Sequence, residues 1–219
     1  MFAYEGQFIV LLTATFKIFA GADTTAISLR AAFYYLMKDP KKMQKAVDEI
    51  DAAATAGKLS EPVADRESRQ HLPYISAVIK EALRLHPAVG MMLERLVPAG
   101  GATICGKHIS GGTIVGINPW AVHYDPDVFP EPEKIEPERW LKGNTNEAHL
   151  AAMERSFFAF GAGSRICMGR NLSMIEMRKI VPELLRRFTF QLESVDAGWK
   201  VHTAWFTPQK MPMCTVKRR

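Results

Sequence analysis

The sequence predicts a mainly α-helical fold with a small β component. Three observations support this: a long stretch rich in Ala, Leu, Ile and Phe from about Gly6 to Met37, two shorter segments with apolar residues at helical spacing, and a glycine-broken, β-prone region between Arg95 and Asn118. With 219 residues, 47% hydrophobic and 23% charged, the chain has enough apolar material to bury a substantial core.

Taken in order, the first stretch reads as one helix closed by Asp39-Pro40, because proline disfavours helical geometry in the residue before it. At 1.5 Å per residue it would extend about 48 Å, enough to cross a domain. Residues 41–55 place Met43, Val47 and Ile50 on one side of a second helix. Leu72 to Leu85 form a third through Ile75, Val78, Ile79 and Leu83, and both are expected to pack on the first. Gly100-Gly101, Gly106 and Gly111-Gly112 then cut the next region into the short pieces of a small antiparallel sheet. Pro126, Pro130, Pro132 and Pro137 keep residues 125–140 out of regular structure, so a surface meander is expected. A polar insertion of undefined structure, 143–154, leads to a glycine-rich loop at 160–169 and a helix from about Arg170 to Phe188, where Pro182 predicts a kink. The residues beyond it read as short strands and turns.

Lys and Arg total 28 against 23 Asp and Glu, an excess of +5 spread along the chain apart from a final Lys217-Arg218-Arg219. That is too diffuse for a nucleic-acid interface and suits instead an acidic protein partner or an anionic membrane surface. Cys105, Cys167 and Cys214 form no Cys-x-x-Cys pair, which argues against a disulfide scaffold or zinc site. They suit a reducing compartment in which a lone thiol serves chemistry. The longest early uncharged run, Gly6 to Phe16, falls well short of the roughly 20 apolar residues of a membrane span, and Glu5 without a basic start argues against a signal peptide.

The segment Phe160-Gly161-Ala162-Gly163-Ser164-Arg165-Ile166-Cys167-Met168-Gly169 opens directly onto a helix, and its parts make chemical sense together. Gly163 and Gly169 lack a Cβ, so the backbone turns sharply and approaches a flat cofactor. Cys167 lies where loop amides and the positive end of the helix favour thiolate over thiol. Arg165 offers a forked cation suited to a carboxylate, and Phe160 an apolar plane beside a metal site. The pattern Phe-x-x-Gly-x-Arg-x-Cys-x-Gly, with every fixed position filled, resembles the haem-ligand signature of the cytochrome P450 family. A dinucleotide-binding loop would want a third glycine where Ile166 stands.

Further segments follow the family's order. Glu81-x-x-Arg84, in the helix ending at His86-Pro87, resembles a Glu and Arg that share a buried network with the Arg of a Pro-Glu-Arg-aromatic segment, here Pro137-Glu138-Arg139-Trp140. Buried charges are tolerated only when mutually satisfied, so Glu81, Arg84 and Arg139 read as structural, holding the meander against the loop. Ala20-Gly21-Ala22-Asp23-Thr24-Thr25 resembles the family's oxygen-activating helix. A mid-helix glycine costs about 1 kcal/mol against alanine and a threonine hydroxyl competes for backbone carbonyls, so a local distortion is expected there, opening a groove for dioxygen. Arg95 resembles a second contact to a haem propionate. His86 and His123 fall in structural contexts, and Cys105 and Cys214 read as small apolar fillers. The glycosylation pattern Asn171-Leu172-Ser173 is discounted, since it opens the helix behind Cys167.

The resemblance covers nearly the whole chain and implies the C-terminal, haem-binding half of the family fold, a single partial domain over 1–219 similar to eukaryotic microsomal-type members. It implies haem b held by Cys167 as metal ligand, with Arg165, Arg95, Phe160, Gly163, Gly169 and Gly21 against the cofactor and Asp23 and Thr24 managing protons. The implied reaction is monooxygenation: one atom of dioxygen enters a small, lipophilic organic substrate and the other leaves as water. Electrons come, by the same implication, from NADPH through a flavoprotein reductase docked near Arg170, Arg178 and Lys179. Family members are roughly twice as long, a size consistent with a large core, so the chain reads as truncated. By the same resemblance the absent half is expected to supply any membrane anchor and much of the substrate pocket; full-length relatives often sit in the endoplasmic reticulum membrane, facing the cytosol, and no anchor is expected within these 219 residues. Two other readings stay open: a non-catalytic remnant that does not retain haem, and a nucleotide-binding loop using Gly161 and Gly163.

Overall fold

A computed structural model describes the backbone of residues 2–194, 196 and 198–219 and, among these, the side chains from Ile18 onward. The first stretch forms one helix, α1 (Phe2–Lys38). It gives way to α2 (Pro40–Thr55), whose proline sits in the first turn, where a missing N–H costs nothing. Asp39 caps α2 by accepting from the Lys41 and Lys42 amides at 3.1 and 3.2 Å. A short helix absent from the expectations, α3 (Asp65–His71), precedes α4 (Pro73–Leu85). The start of α4 is capped from outside: Glu49 of α2 accepts from the amides of Tyr74 and Ile75 at 2.8 and 3.0 Å. Ile50, Ile75, Val78 and Ile79 are buried as their spacing predicts, with Met43 and Val47 half-buried against the same core as Leu36 of α1.

The β-prone region forms two separate antiparallel pairs rather than one sheet. Strand β1 (Leu93–Leu96) carries between itself and its partner a small hairpin of β2 (Ala102–Ile104) and β3 (Lys107–Ile109); the partner is β4 (Ile114–Ile117). Register pairs Arg95 with Val115 and Thr103 with His108. Cys105 is not an apolar filler: it is exposed, in the hairpin turn at φ 50, followed by Gly106 at φ 73. A tight two-residue turn between twisted strands demands this left-handed pair.

The meander is flanked by α5 (Pro119–His123) and closes in a 3-10 turn over Pro137–Trp140. The polar insertion is also helical, as α6 (Glu147–Arg155), capped by Asn146 and burying Met153. Helix α7 (Arg170–Arg187) continues through Pro182. The end of the chain forms β5 (Phe188–Leu192), β6 (Lys200–Val201), β7 (Gln209–Lys210) and β8 (Cys214–Arg218), paired β5–β8 and β6–β7. Here Cys214 does pack as a half-buried filler, beside Leu192 and Tyr34. Met177, Val181 and Leu185 carry α7 into the core shared by α1, α2 and α4. Among the described residues no helix is long and apolar enough to cross a membrane.

Candidate functional site

The glycine-rich loop is held by its own backbone. Gly161 N–H donates to Phe158 O at 2.9 Å, Ile166 N–H to Gly163 O at 3.2 Å, Cys167 N–H to Phe160 O at 2.9 Å and Arg170 N–H to Cys167 O at 3.3 Å. Gly161 and Gly163, at φ +70 and +66, occupy backbone geometry that a Cβ would strain. Gly169 does not: its φ is −79, and a Cβ there would stand 3.8 Å from Cys167 Sγ, an ordinary contact. The chain leaves the loop with Cys167 exposed, immediately before the amides that open α7.

Cys167 borders a cleft bounded by α1, the end of α4, β1 and the loop itself. Of the predicted residues it gathers Thr24, Arg95, Phe160, Arg165 and Cys167; Gly21, Asp23, Gly163 and Gly169 are not among its walls. Leu83, Val89, Leu93 and Ser173 also line it. No motif assigned these to a site: Leu83 and Leu93 belong to ordinary helix and strand patterns, Val89 lies between elements, and Ser173 stood only in the discounted glycosylation pattern. Arg95 donates to Glu94 O at 2.7 Å and reaches Ala162 O at 3.4 Å, tying β1 to the loop. Thr25 and Ser173 share a hydroxyl contact of 3.1 Å that joins α1 to α7 at the cleft's edge.

The threonine expected to compete for a backbone carbonyl in α1 does so. Helix α1 runs through Gly21, and Thr24 Oγ1 donates to Ala20 O at 2.7 Å, one turn back. Asp23 is exposed on the same turn.

Behind the loop lies the charged network. Glu81 is fully buried and accepts five hydrogen bonds: at Oε1 from Arg84 Nη2 (2.8 Å), Arg139 Nε (3.1 Å) and the Glu136 amide (3.0 Å), and at Oε2 from Arg84 Nε (2.9 Å) and Trp140 Nε1 (2.8 Å). Arg84 spends its remaining donors on the carbonyls of His123, Pro132 and Lys134. Sequence reasoning found the three charges but not Trp140 Nε1 or His123. His123 Nδ1 lies 2.9 Å from Arg84 O, while its Nε2 accepts the Phe158 amide at 2.8 Å. An amide can only donate, so the proton of this ring is on Nδ1. Burial pushes the His123 pKa down to about 4, and lowers that of His86, which donates to Thr207 O at 2.9 Å.

On the other side of Phe160, the Arg170 guanidinium stands 5.9 Å from its ring. Arg178 is engaged by Asp65 at 2.8 Å, so the predicted basic trio presents Arg170 and Lys179 more freely than Arg178.

Among the described residues no three His, Cys, Asp or Glu side chains gather to hold a metal ion. A metal at Cys167 must therefore bring its other ligands with it, as the iron of a macrocycle does. An exposed thiol facing a cleft with apolar walls and two arginines suits that group: the apolar walls match a flat ring and the arginines its carboxylates.

Fold and cleft together define a mainly helical protein with a glycine-rich loop that presents an exposed cysteine to a cleft. The sequence matches the family model described as Cytochrome P450 over residues 10–214. It is 43% identical over 198 residues to the cytochrome P450 monooxygenase cicH of Emericella nidulans, covering 90% of this chain and 39% of that one. A cytochrome P450 monooxygenase of Alternaria alternata is 42% identical over 203 residues, covering 92% and 53%. A pisatin demethylase of Fusarium vanettenii is 40% identical over 204 residues, covering 93% and 38%. The solved structure of a zebra fish cytochrome P450 with progesterone superposes with a TM-score of 0.80 at 29% identity, covering 96% of this chain and 46% of that one. The chain belongs to the cytochrome P450 family. It spans 39%, 53% and 38% of the three curated relatives' lengths.

Proposed function

We propose that this chain is the haem-carrying part of a monooxygenase, a partial domain over residues 1–219 with Cys167 Sγ as the metal ligand of haem b. The observation that carries the proposal is the meeting of Cys167, Arg165, Arg95 and Thr24 in one cleft, drawn from the loop, β1 and α1. Arg95 and Arg165 are positioned to neutralise propionates, and Phe160 offers an apolar plane beside the ring. Gly163 sets the path of the loop through its left-handed φ, and Gly169 makes the step into α7. Gly21 leaves the surface of α1 bare one turn before Thr24, with open space where a Cβ would stand.

When bound, haem supplies the iron at which dioxygen is reduced, using electrons that a flavoprotein reductase takes from NADPH. Thr24 Oγ1 gives its own proton to Ala20 O and keeps lone pairs to accept a hydrogen bond from a protonated group in the cleft. Asp23, exposed at the same turn, takes protons from solvent and passes them inward. The substrate is a small, lipophilic organic molecule, in keeping with the apolar walls of the cleft and with relatives described by pisatin and progesterone. The reductase approaches on the cytosolic side near Arg170 and Lys179, where charge attracts an acidic surface.

The test is the absorbance of the reduced, carbon-monoxide-treated protein. A thiolate-type Soret band that is lost in Cys167→Ser is expected. Well-folded protein that takes up no haem would sink the proposal, and would leave the reading of a non-catalytic remnant.

A further inference from the structure

We propose that His123 is the positioning residue of the cysteine loop: its Nε2 fixes where the loop begins by accepting the Phe158 amide, while its Nδ1 ties the same ring to α4. The inference rests on reading Cys167 as the haem ligand. His123 is 0% exposed and ends α5, far in sequence from both groups it joins. Its ring is stacked on Phe157 with centroids 5.5 Å apart and an interplanar angle of 13°, so the orientation of both nitrogens is set by packing.

A short series of bonds leads from this ring to the metal ligand. Phe158 N–H donates to Nε2; Phe158 O then accepts from Gly161, and Phe160 O accepts from Cys167. Phe158 and Phe160 both line the cleft, so a shift at the first bond moves the wall on which a cofactor rests. The other side chain bonded to the loop backbone, Arg95, reaches Ala162 O at 3.4 Å from an exposed strand, a weaker tether. On the opposite side of the ring, Arg84 O belongs to the residue that pairs with Glu81. One imidazole therefore transmits the position of the buried charge network to the cofactor loop. A phenyl ring would fill the same space and stack on Phe157, but would leave the Phe158 amide without an acceptor.

Three variants of the 219-residue chain separate these roles. His123→Gln keeps an acceptor near the Nε2 position; His123→Asn keeps a donor near Nδ1 but no acceptor for Phe158; His123→Phe keeps the ring alone. Amide hydrogen exchange without haem is read over residues 157–167, with α4 as the control for folding. The Asn and Phe variants are expected to exchange in the loop about ten- to a hundredfold faster than wild type, the range set by stranding a buried donor, with α4 protected and Gln close to wild type. Equal exchange in Gln and Asn, or protection unchanged in all three, overturns the proposal. If Phe loses protection everywhere, the Gln and Asn pair decides. Haem release, measured in parallel, is expected to be faster in Asn than in Gln. A wild-type chain that takes up no haem would count against the monooxygenase reading alone, since the exchange comparison is made without it.

Discussion

A carboxylate sealed from water survives only if every lone pair finds a donor, and Glu81 meets that condition with partners from α4, the Glu136 amide and the 3-10 turn. Removing Arg84 takes from that carboxylate one of its two cations and two of its five donors, and strips the carbonyls of His123, Pro132 and Lys134 of theirs, so Arg84→Ala is expected to cost about 3–5 kcal/mol in urea unfolding. Trp140→Phe, which deletes one neutral donor, is expected to cost about 1–3 kcal/mol. Equal effects of the two would mean that the network is not the source. His123 makes a separate prediction in pH. Its folded pKa, near 4, lies below the ordinary 6.5, so between these values the unfolded chain binds a proton that the folded chain refuses. Its contribution is fully present above about pH 6.5 and is lost as pH falls towards 4, by about 3 kcal/mol in all. His86 acts in the same direction. Unfolding midpoints measured from pH 7 to 4.5 should fall less steeply in His123→Gln than in wild type; parallel curves would contradict the assignment.

At the scale of elements, two glycines of the loop that look alike in the sequence differ in what they do. Gly163 has φ +66 and Gly169 φ −79. Gly163→Ala is therefore expected to cost about 1–2 kcal/mol through left-handed backbone strain, whereas Gly169→Ala is expected to be close to neutral in thermal unfolding of the apoprotein. A larger loss at Gly169 would show that the step into α7 is tighter than its backbone angle implies. Helix α4 was legible because its apolar residues repeat at helical spacing; α3 and α6 were not, because they are short and mostly polar and bury little more than Ser68 and Met153. The competition expected in α1 was legible from residue type alone: a threonine hydroxyl reaches the carbonyl four residues back within one turn.

For the molecule as a whole, exposed apolar side chains gather beside the cysteine as well as on α1 at Ile18 and Phe19. Met168 is 97% exposed and Leu172 62%, with Ile166 and Ile175 also exposed beside them. Apolar surface of this kind drives association. Sedimentation of the isolated chain is expected to show self-association that weakens in a Met168→Lys, Leu172→Lys double variant; identical sedimentation of the two would place the contact elsewhere.

The cysteine loop could be read directly because its signature is contiguous: Phe160, Gly163, Arg165 and Cys167 stand within one run of sequence, so short-range bonds such as Cys167 N–H to Phe160 O are enough to shape it. The family was legible from the same run, the helical class from periodicity, and the charges Glu81, Arg84 and Arg139 from the resemblance of their two segments to the family's. What only tertiary structure decided is which distant groups complete the site. Leu83 and Ser173 join the expected Arg95 and Thr24 in the cleft, Trp140 becomes the fifth donor to Glu81, and His123 joins Arg84 to Phe158. Those contacts depend on packing between elements far apart in the chain. Each residue type is ordinary where it stands, and only the fold gives it a partner.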